Sequence, residues 1–232
     1  ALCLDIPRNI LNMNKDIPLS LQTYIEQEII PCYEQFDTAH QTDHARTVID
    51  ESLKIAPYYK VNPIMVYTVA AYHDIGLCEG RELHHIVSAQ MLRADKRLKE
   101  WFTDEQICIM AEAVEDHRAS NQNEPRSIYG KIIAEADRII DPTTTLLRTV
   151  QYGLSHYPQF NQKEQYIRFR KHLLEKYAEG GYLKLWIPES DNAVRLTELR
   201  HIIADEIKLK KVFNRLFGSE MTKRKNNQRN SL

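Results

Sequence analysis

The chain is short of residues that interrupt helices: 7 glycines and 9 prolines in 232 residues. Glycine supplies positive-φ turns and proline fixed ones, so their scarcity argues against a turn-rich β fold and favours helices. Four cysteines, Cys3, Cys32, Cys78 and Cys108, form no CxxC pair and share no regular spacing. That excludes a disulfide framework read from spacing and an all-cysteine zinc site, and it suits a cytoplasmic protein with reduced thiols. No apolar run approaches the ~20 residues of a membrane span. The formal net charge is −1, so no global attraction to nucleic acid or anionic membrane is expected. The opening ALCLDIPRNILNMNKDIPLS has Asp5 and Pro7 early and no basic stretch before an apolar core. It reads as an irregular leader over 1–16 and not as a secretory signal.

What is present is ordinary globular material. A hydrophobic fraction of 43% against 27% charged residues is enough for one sizeable domain or two small ones. No strand-like alternation persists and no repeat emerges, so the expected fold class is all-α. The punctuation is helical. Helices are expected from Ile17 to Tyr33, from Thr42 through TDHARTVIDESLKIA, and from the start signal Asn62-Pro63 to His73. Others run from His84 to Asp95, from the capping pair Thr103 and Gln106 into TDEQICIMAEAVEDHR, and from Ser127 to a stop at Pro142. A helix or two follow over Thr143 to Gly153, another spans Lys163 to Ala178 before Gly180-Gly181, and a long one runs from Ser190 to about Leu216. The expected organisation is one helical domain over 17–218, with 154–218 as a C-terminal extension. The basic stretch MTKRKNNQRNSL, 219–232, is expected to be a disordered, solvated tail and not a nucleic-acid contact. The last helices have the pattern of a homodimer face as well as that of helices packed on their own core.

Polar residues fall in phase with several apolar stripes. His44 aligns with Val48, Ser52 and Ile55. Asp74 continues Ile64, Tyr67 and Ala71, and His73 continues Val66 and Val69. His84 begins a stripe with Val87, Ser88 and Met91. His117 continues Ile107, Met110 and Val114, and Asp137 lies with Ile133 and Ile140. Singly, each reads as a satisfied core histidine or a helix cap. Together they bring imidazoles and carboxylates from five helices toward one core, where an uncompensated carboxylate costs several kcal/mol. A divalent cation removes that cost, and mixed imidazole and carboxylate ligands suit Mn, Fe, Co, Ni or Zn better than Mg or Ca.

The order His44, His73-Asp74, Asp137, in the contexts DHARTV, AAYHDIG and AEADRI, resembles the HD-domain superfamily of metal-dependent phosphohydrolases over roughly Gln41 to Gly153. Many relatives carry an arginine three residues after the first histidine. Here that position is Thr47, and Arg46 lies one residue closer. Members with two metals have extra histidines between the HD pair and the last Asp. His84, followed by Ser88-Ala89, looks like the first of these, with His85 as its competitor. His117, ending AVEDHR, looks like the second. The resemblance implies metal ligands His44, His73, Asp74 and Asp137, joined by His84 and His117 if two ions bind, with Asp74 suited to bridge.

The activity implied is hydrolysis of a phosphate ester or anhydride, of nucleotide type, by metal-activated water. Asp74 would orient the water, and Arg118 and Arg138, each directly after a candidate ligand, would meet phosphoryl charge. Lys131, Arg126, Arg81 and Glu82 read as surface charges near the site. Tyr129, Tyr152 and Tyr157 are candidates to stack on a base, and equally core or surface residues. The partner implied is a small phosphorylated molecule. Two alternatives stay open: a di-iron oxygenase on the same scaffold, and a regulatory module that binds a nucleotide.

Overall fold

The computed structural model describes residues 16–36, 42–119, 121 and 123–229, with side chains described as far as 224. The expected leader, 1–16, lies outside the described residues except for its last position. Among the described residues there are ten α-helices and no strand, so the fold is all-α. They are α1 (Leu19–Tyr24), α2 (Thr42–Ile55), α3 (Pro63–Tyr72), α4 (His84–Ala94), α5 (Asp104–Asp116), α6 (Ile128–Asp137), α7 (Pro142–His156), α8 (Gln162–Tyr177), α9 (Asp191–Ala204) and α10 (Glu206–Arg229). None is long and apolar enough to cross a membrane.

The chain forms two compact units. The first contains residues 1–138 and a returning segment, Trp186–Ser190; the second contains 139–185 and 191–232. In the first, α3 is the central element. Eight of its ten residues are buried, from Met65 to Tyr72, and it packs against α2, α5 and α6. Its start follows the sequence signal: Asn62 Oδ1 accepts from Ile64 N–H at 3.0 Å, and Pro63 occupies the first turn, where its missing donor costs nothing. The backbone N–H of Asn62 donates to the Tyr129 hydroxyl at 2.9 Å, so Tyr129 braces this cap. α5 begins on the expected Thr103–Gln106 capping box. α6 begins where Ser127 Oγ accepts from Gly130 N–H at 3.2 Å.

α1 is shorter than the expected Ile17–Tyr33 helix. It passes into a π-helical turn, Ile25–Ile29, and then a 3₁₀ turn, Ile30–Gln35. Pro31 enters the last of these and supplies no amide donor. Another 3₁₀ turn, Ile75–Glu79, follows α3 and ends at Gly80, whose φ of +99° favours glycine.

In the second unit, α7 to α10 enclose an apolar core that includes Leu146, Val150, Phe169, Leu173, Leu199, Leu209 and Phe213. Asp141 caps α7 by accepting from Thr144 N–H at 2.6 Å. Asn161 and Glu164 make a capping box for α8. The single long helix expected from Ser190 is two helices. Asp205 separates them, and its side chain accepts from Lys208 N–H at 2.9 Å as a cap would. α10 then continues to Arg229, so 219–229 is helical where a disordered tail was expected. Lys, Arg and Gln are good helix formers, and here they extend a helix already anchored by buried Leu209 and Phe213.

Candidate metal centre

The first unit brings six of the sequence-selected side chains together. His44 comes from the first turn of α2, and His73 and Asp74 from the end of α3. His84 opens α4, His117 follows the last residue of α5, and Asp137 ends α6. Two sets have donor atoms within 4.8 Å of one another: His44, His73, Asp74 and Asp137, and Asp74, His84 and His117. Asp74 is common to both and divides its oxygens between them. Its Oδ2 lies 3.4 Å from His73 Nε2 and 4.0 Å from His44 Nε2. Its Oδ1 lies 3.3 Å from both His84 Nε2 and His117 Nε2. Asp137 Oδ1 closes the first set at 3.2 Å from His44 Nε2 and 3.9 Å from His73 Nε2.

The orientation of the rings follows from their other nitrogen. Nδ1 of His73 meets the Ala70 carbonyl at 2.8 Å, Nδ1 of His84 the Arg81 carbonyl at 2.8 Å, and Nδ1 of His117 the Val114 carbonyl at 2.6 Å. A carbonyl only accepts, so each Nδ1 carries the proton, and the neutral ring turns the Nε2 lone pair toward Asp74. This is the arrangement that metal-bound histidines adopt. Lone pairs facing each other at 3.3 Å repel unless a proton or a cation lies between them. Asp74 Oδ1 is buried and has no hydrogen-bond partner, so this donor set fits one or two divalent cations.

Where no cation is bound, the electrostatics favour a proton in its place between the rings and the carboxylates. Burial pushes the Asp74 carboxyl up, but His73, His117 and His84 outweigh it and hold it well below the usual carboxylate range. Burial likewise opposes ionisation of Asp137, and the hydrogen bond from His44 overcomes it, holding the carboxyl at about 2. Burial lowers His73 and His84. His44 and His117 are raised despite burial, by Asp137 and Asp74 respectively.

Between the two candidates in HHIVSA, the geometry selects His84; His85 belongs to neither set. Gly76 makes this placement possible. A Cβ there would collide with the His84 carbonyl and the Ser88 amide, and the Gly76 N–H donates to Ser88 Oγ at 2.8 Å. The glycine of AAYHDIG therefore lets the turn after α3 lie directly against α4.

The cations near the site divide into two groups. Arg126 donates to Asp116 and Glu115, Lys131 pairs with Glu124, and Arg46 forms a double contact with Glu26 at 2.6 and 2.7 Å. These three are occupied in structural pairs. Arg118 is half-buried and donates to the Glu82 carbonyl at 2.6 Å, which fixes it over the turn before α4. Arg138 is buried, and its Nε and Nη1 have no hydrogen-bond partner. Tyr152 and Tyr157 belong to the second unit, where Tyr152 stacks on His156 and Tyr157 on Phe160.

Two contributors escaped the sequence reading. Tyr33, from the 3₁₀ turn after α1, is fully buried beneath the His73-Asp74 pair. Glu135, two residues before Asp137 on α6, accepts from the amides of Trp186 and Ile187 and the Ser190 hydroxyl, and so binds the returning segment. A tyrosine among apolar residues reads as core, and nothing local ties Glu135 to a partner some fifty positions away.

No curated protein and no solved structure matches the chain. Residues 42–140 match the family model described as HD domain. That span contains all six clustered ligand candidates, in the order and contexts that suggested the resemblance. The match covers somewhat less than half of the chain, and over that span the sequence is similar to the HD domain family.

Proposed function

We propose that the chain is a metal-dependent phosphohydrolase whose centre holds two divalent transition-metal ions on His44, His73, Asp137, His84, His117 and a shared Asp74. The observation that carries this reading is the division of Asp74. One oxygen faces each histidine set, and the buried Oδ1 has no protein partner. Ions bound there would supply Lewis acidity, lowering the pKa of a water and polarising a phosphoryl oxygen.

The remaining work belongs to the chain. His73, His84 and His117 keep their Nε2 lone pairs inward because three backbone carbonyls hold the Nδ1 protons. The apolar packing of α3, with Val66, Val69 and Ala70 buried, keeps solvent from the far side of the ligands. Asp74 is ionised throughout the physiological range and orients a nucleophilic water. Arg138 offers a buried guanidinium with two unused nitrogens beside Asp137, and an anion is its natural complement. Arg118 supplies positive charge next to His84 and His85. Phosphoryl transfer needs such cations around the equatorial oxygens. The substrate class is a small phosphate ester or anhydride, with nucleotides as the first compounds to examine.

The test is a phosphate-release screen with manganese or cobalt against a panel of nucleotides and phosphate esters, with Asp74→Ala as control. Metal-dependent release by the wild type alone is expected. A protein purified with two irons that consumes oxygen and releases no phosphate would replace this reading with an oxygenase. Nucleotide binding without turnover would replace it with a regulatory module.

A further inference from the structure

α3 ends at Tyr72, directly before His73-Asp74, and a side chain outside the HD-domain match meets its end. In a continuing helix the Asp74 N–H would donate to the Ala70 carbonyl, and the Ala71 carbonyl would accept from Ile75. Instead the Ala70 carbonyl accepts from His73 Nδ1 at 2.8 Å. The Asp74 N–H donates to the Tyr33 hydroxyl at 3.2 Å, and that hydroxyl donates to the Ala71 carbonyl at 2.9 Å. The same oxygen lies 3.5 Å from His73 Nδ1. One phenolic oxygen thus meets both backbone groups that the helix break leaves behind, and it can do so because it both donates and accepts. Asp74 takes φ −117° and ψ 6°, away from helical values, and this bend points its carboxylate into the imidazole cluster.

The Tyr33 ring is fully buried and rests edge-on against Phe36, with centroids 5.6 Å apart. A phenylalanine would fill the same space. Only the hydroxyl connects the ring to the ends of Ala71 and Asp74.

We propose that Tyr33 is a positioning residue for the metal centre. Its hydroxyl takes over the backbone bonds at Ala71 and Asp74, which turns the Asp74 carboxylate inward and frees the Ala70 carbonyl to hold His73 as the Nδ1–H tautomer. This rests on the metal-centre reading, and the two are separable by experiment. Tyr33→Phe removes one oxygen and keeps the ring. ¹⁵N NMR of histidine-labelled, metal-free protein reads the His73 tautomer, and a manganese titration reads affinity. The expected result is loss of the pure Nδ1–H state and a fall in manganese affinity of about 10–100-fold, the range for residues that orient ligands. Tyr59→Phe, which deletes a hydroxyl bound to Glu189 in the same unit, should change neither. A Tyr33→Phe protein with the wild-type tautomer and affinity overturns the proposal. If that variant does not fold, the wild type decides. A slowly exchanging Tyr33 hydroxyl proton with a nuclear Overhauser contact to the Asp74 amide is expected, and its absence overturns the proposal. A wild type that binds no manganese defeats the metal reading, while the tautomer and the amide contact still test what Tyr33 does.

Discussion

The two units bury carboxylates in different ways. In the second, Glu220 is buried and its oxygens are used within the protein: Gln151 donates at 3.1 Å and Lys223 at 2.8 Å. In the first, Asp74 is buried and one oxygen is left with imidazole lone pairs on two sides. The first unit also contains the satisfied kind, Glu135, which accepts from two amides and a hydroxyl. Burial of charge by itself therefore marks nothing. What distinguishes Asp74 is that the protein surrounds it with groups able to share a cation and supplies none. Among the described residues, both metal-capable sets lie in the first unit.

The largest effect expected from breaking this contrast is on stability, in the unit that has no metal-capable set among its described residues. Phe213→Ala removes a fully buried ring packed on Phe169 and Phe217. It should cost roughly 3–5 kcal/mol in denaturant unfolding. Manganese affinity of the folded variant should stay at the wild-type value. Asp74→Ala should do the reverse, lowering manganese affinity by more than about 100-fold by calorimetry, whereas Glu220→Gln should leave that affinity unchanged.

Metal addition sharpens the comparison at the next level. Manganese at about 100 times its dissociation constant should stabilise the folded protein by about 2.7 kcal/mol. The gain should vanish with chelator and be absent in Asp74→Ala. The smallest effect concerns the α7 cap. Asp141→Ala should cost about 1 kcal/mol. The Asp141 carboxyl lies below its usual value because Thr144 donates to it. Its contribution is therefore complete above the unfolded pKa of about 3.9 and is lost as pH falls through the lower folded value. The difference between wild type and Asp141→Ala, measured by pH-dependent unfolding, should narrow only in acid.

The six ligand candidates were legible because each sits in phase with an apolar stripe, so its helix had to carry it inward. The helix starts at Asn62, Thr103 and Ser127 were legible for a local reason: each cap acts within three residues. What was not legible depends on distance or on competition. Tyr33 reaches Asp74 across 41 positions, and its hydroxyl has meaning only once the end of α3 is beside it. The choice of His84 over His85 needed the packing of Gly76 on α4. The break at Asp205 was hidden inside a continuous helical pattern. The extension of α10 was missed because a basic, polar stretch resembles a solvated tail until a buried anchor precedes it.

The central claim is that Asp74 is shared by two cations. Manganese titration of the metal-free protein, followed by electron paramagnetic resonance, tests it most directly. The account predicts two ions per chain with a spin-coupled spectrum, both lost in Asp74→Ala. A single uncoupled ion, or no bound manganese at all, would contradict it.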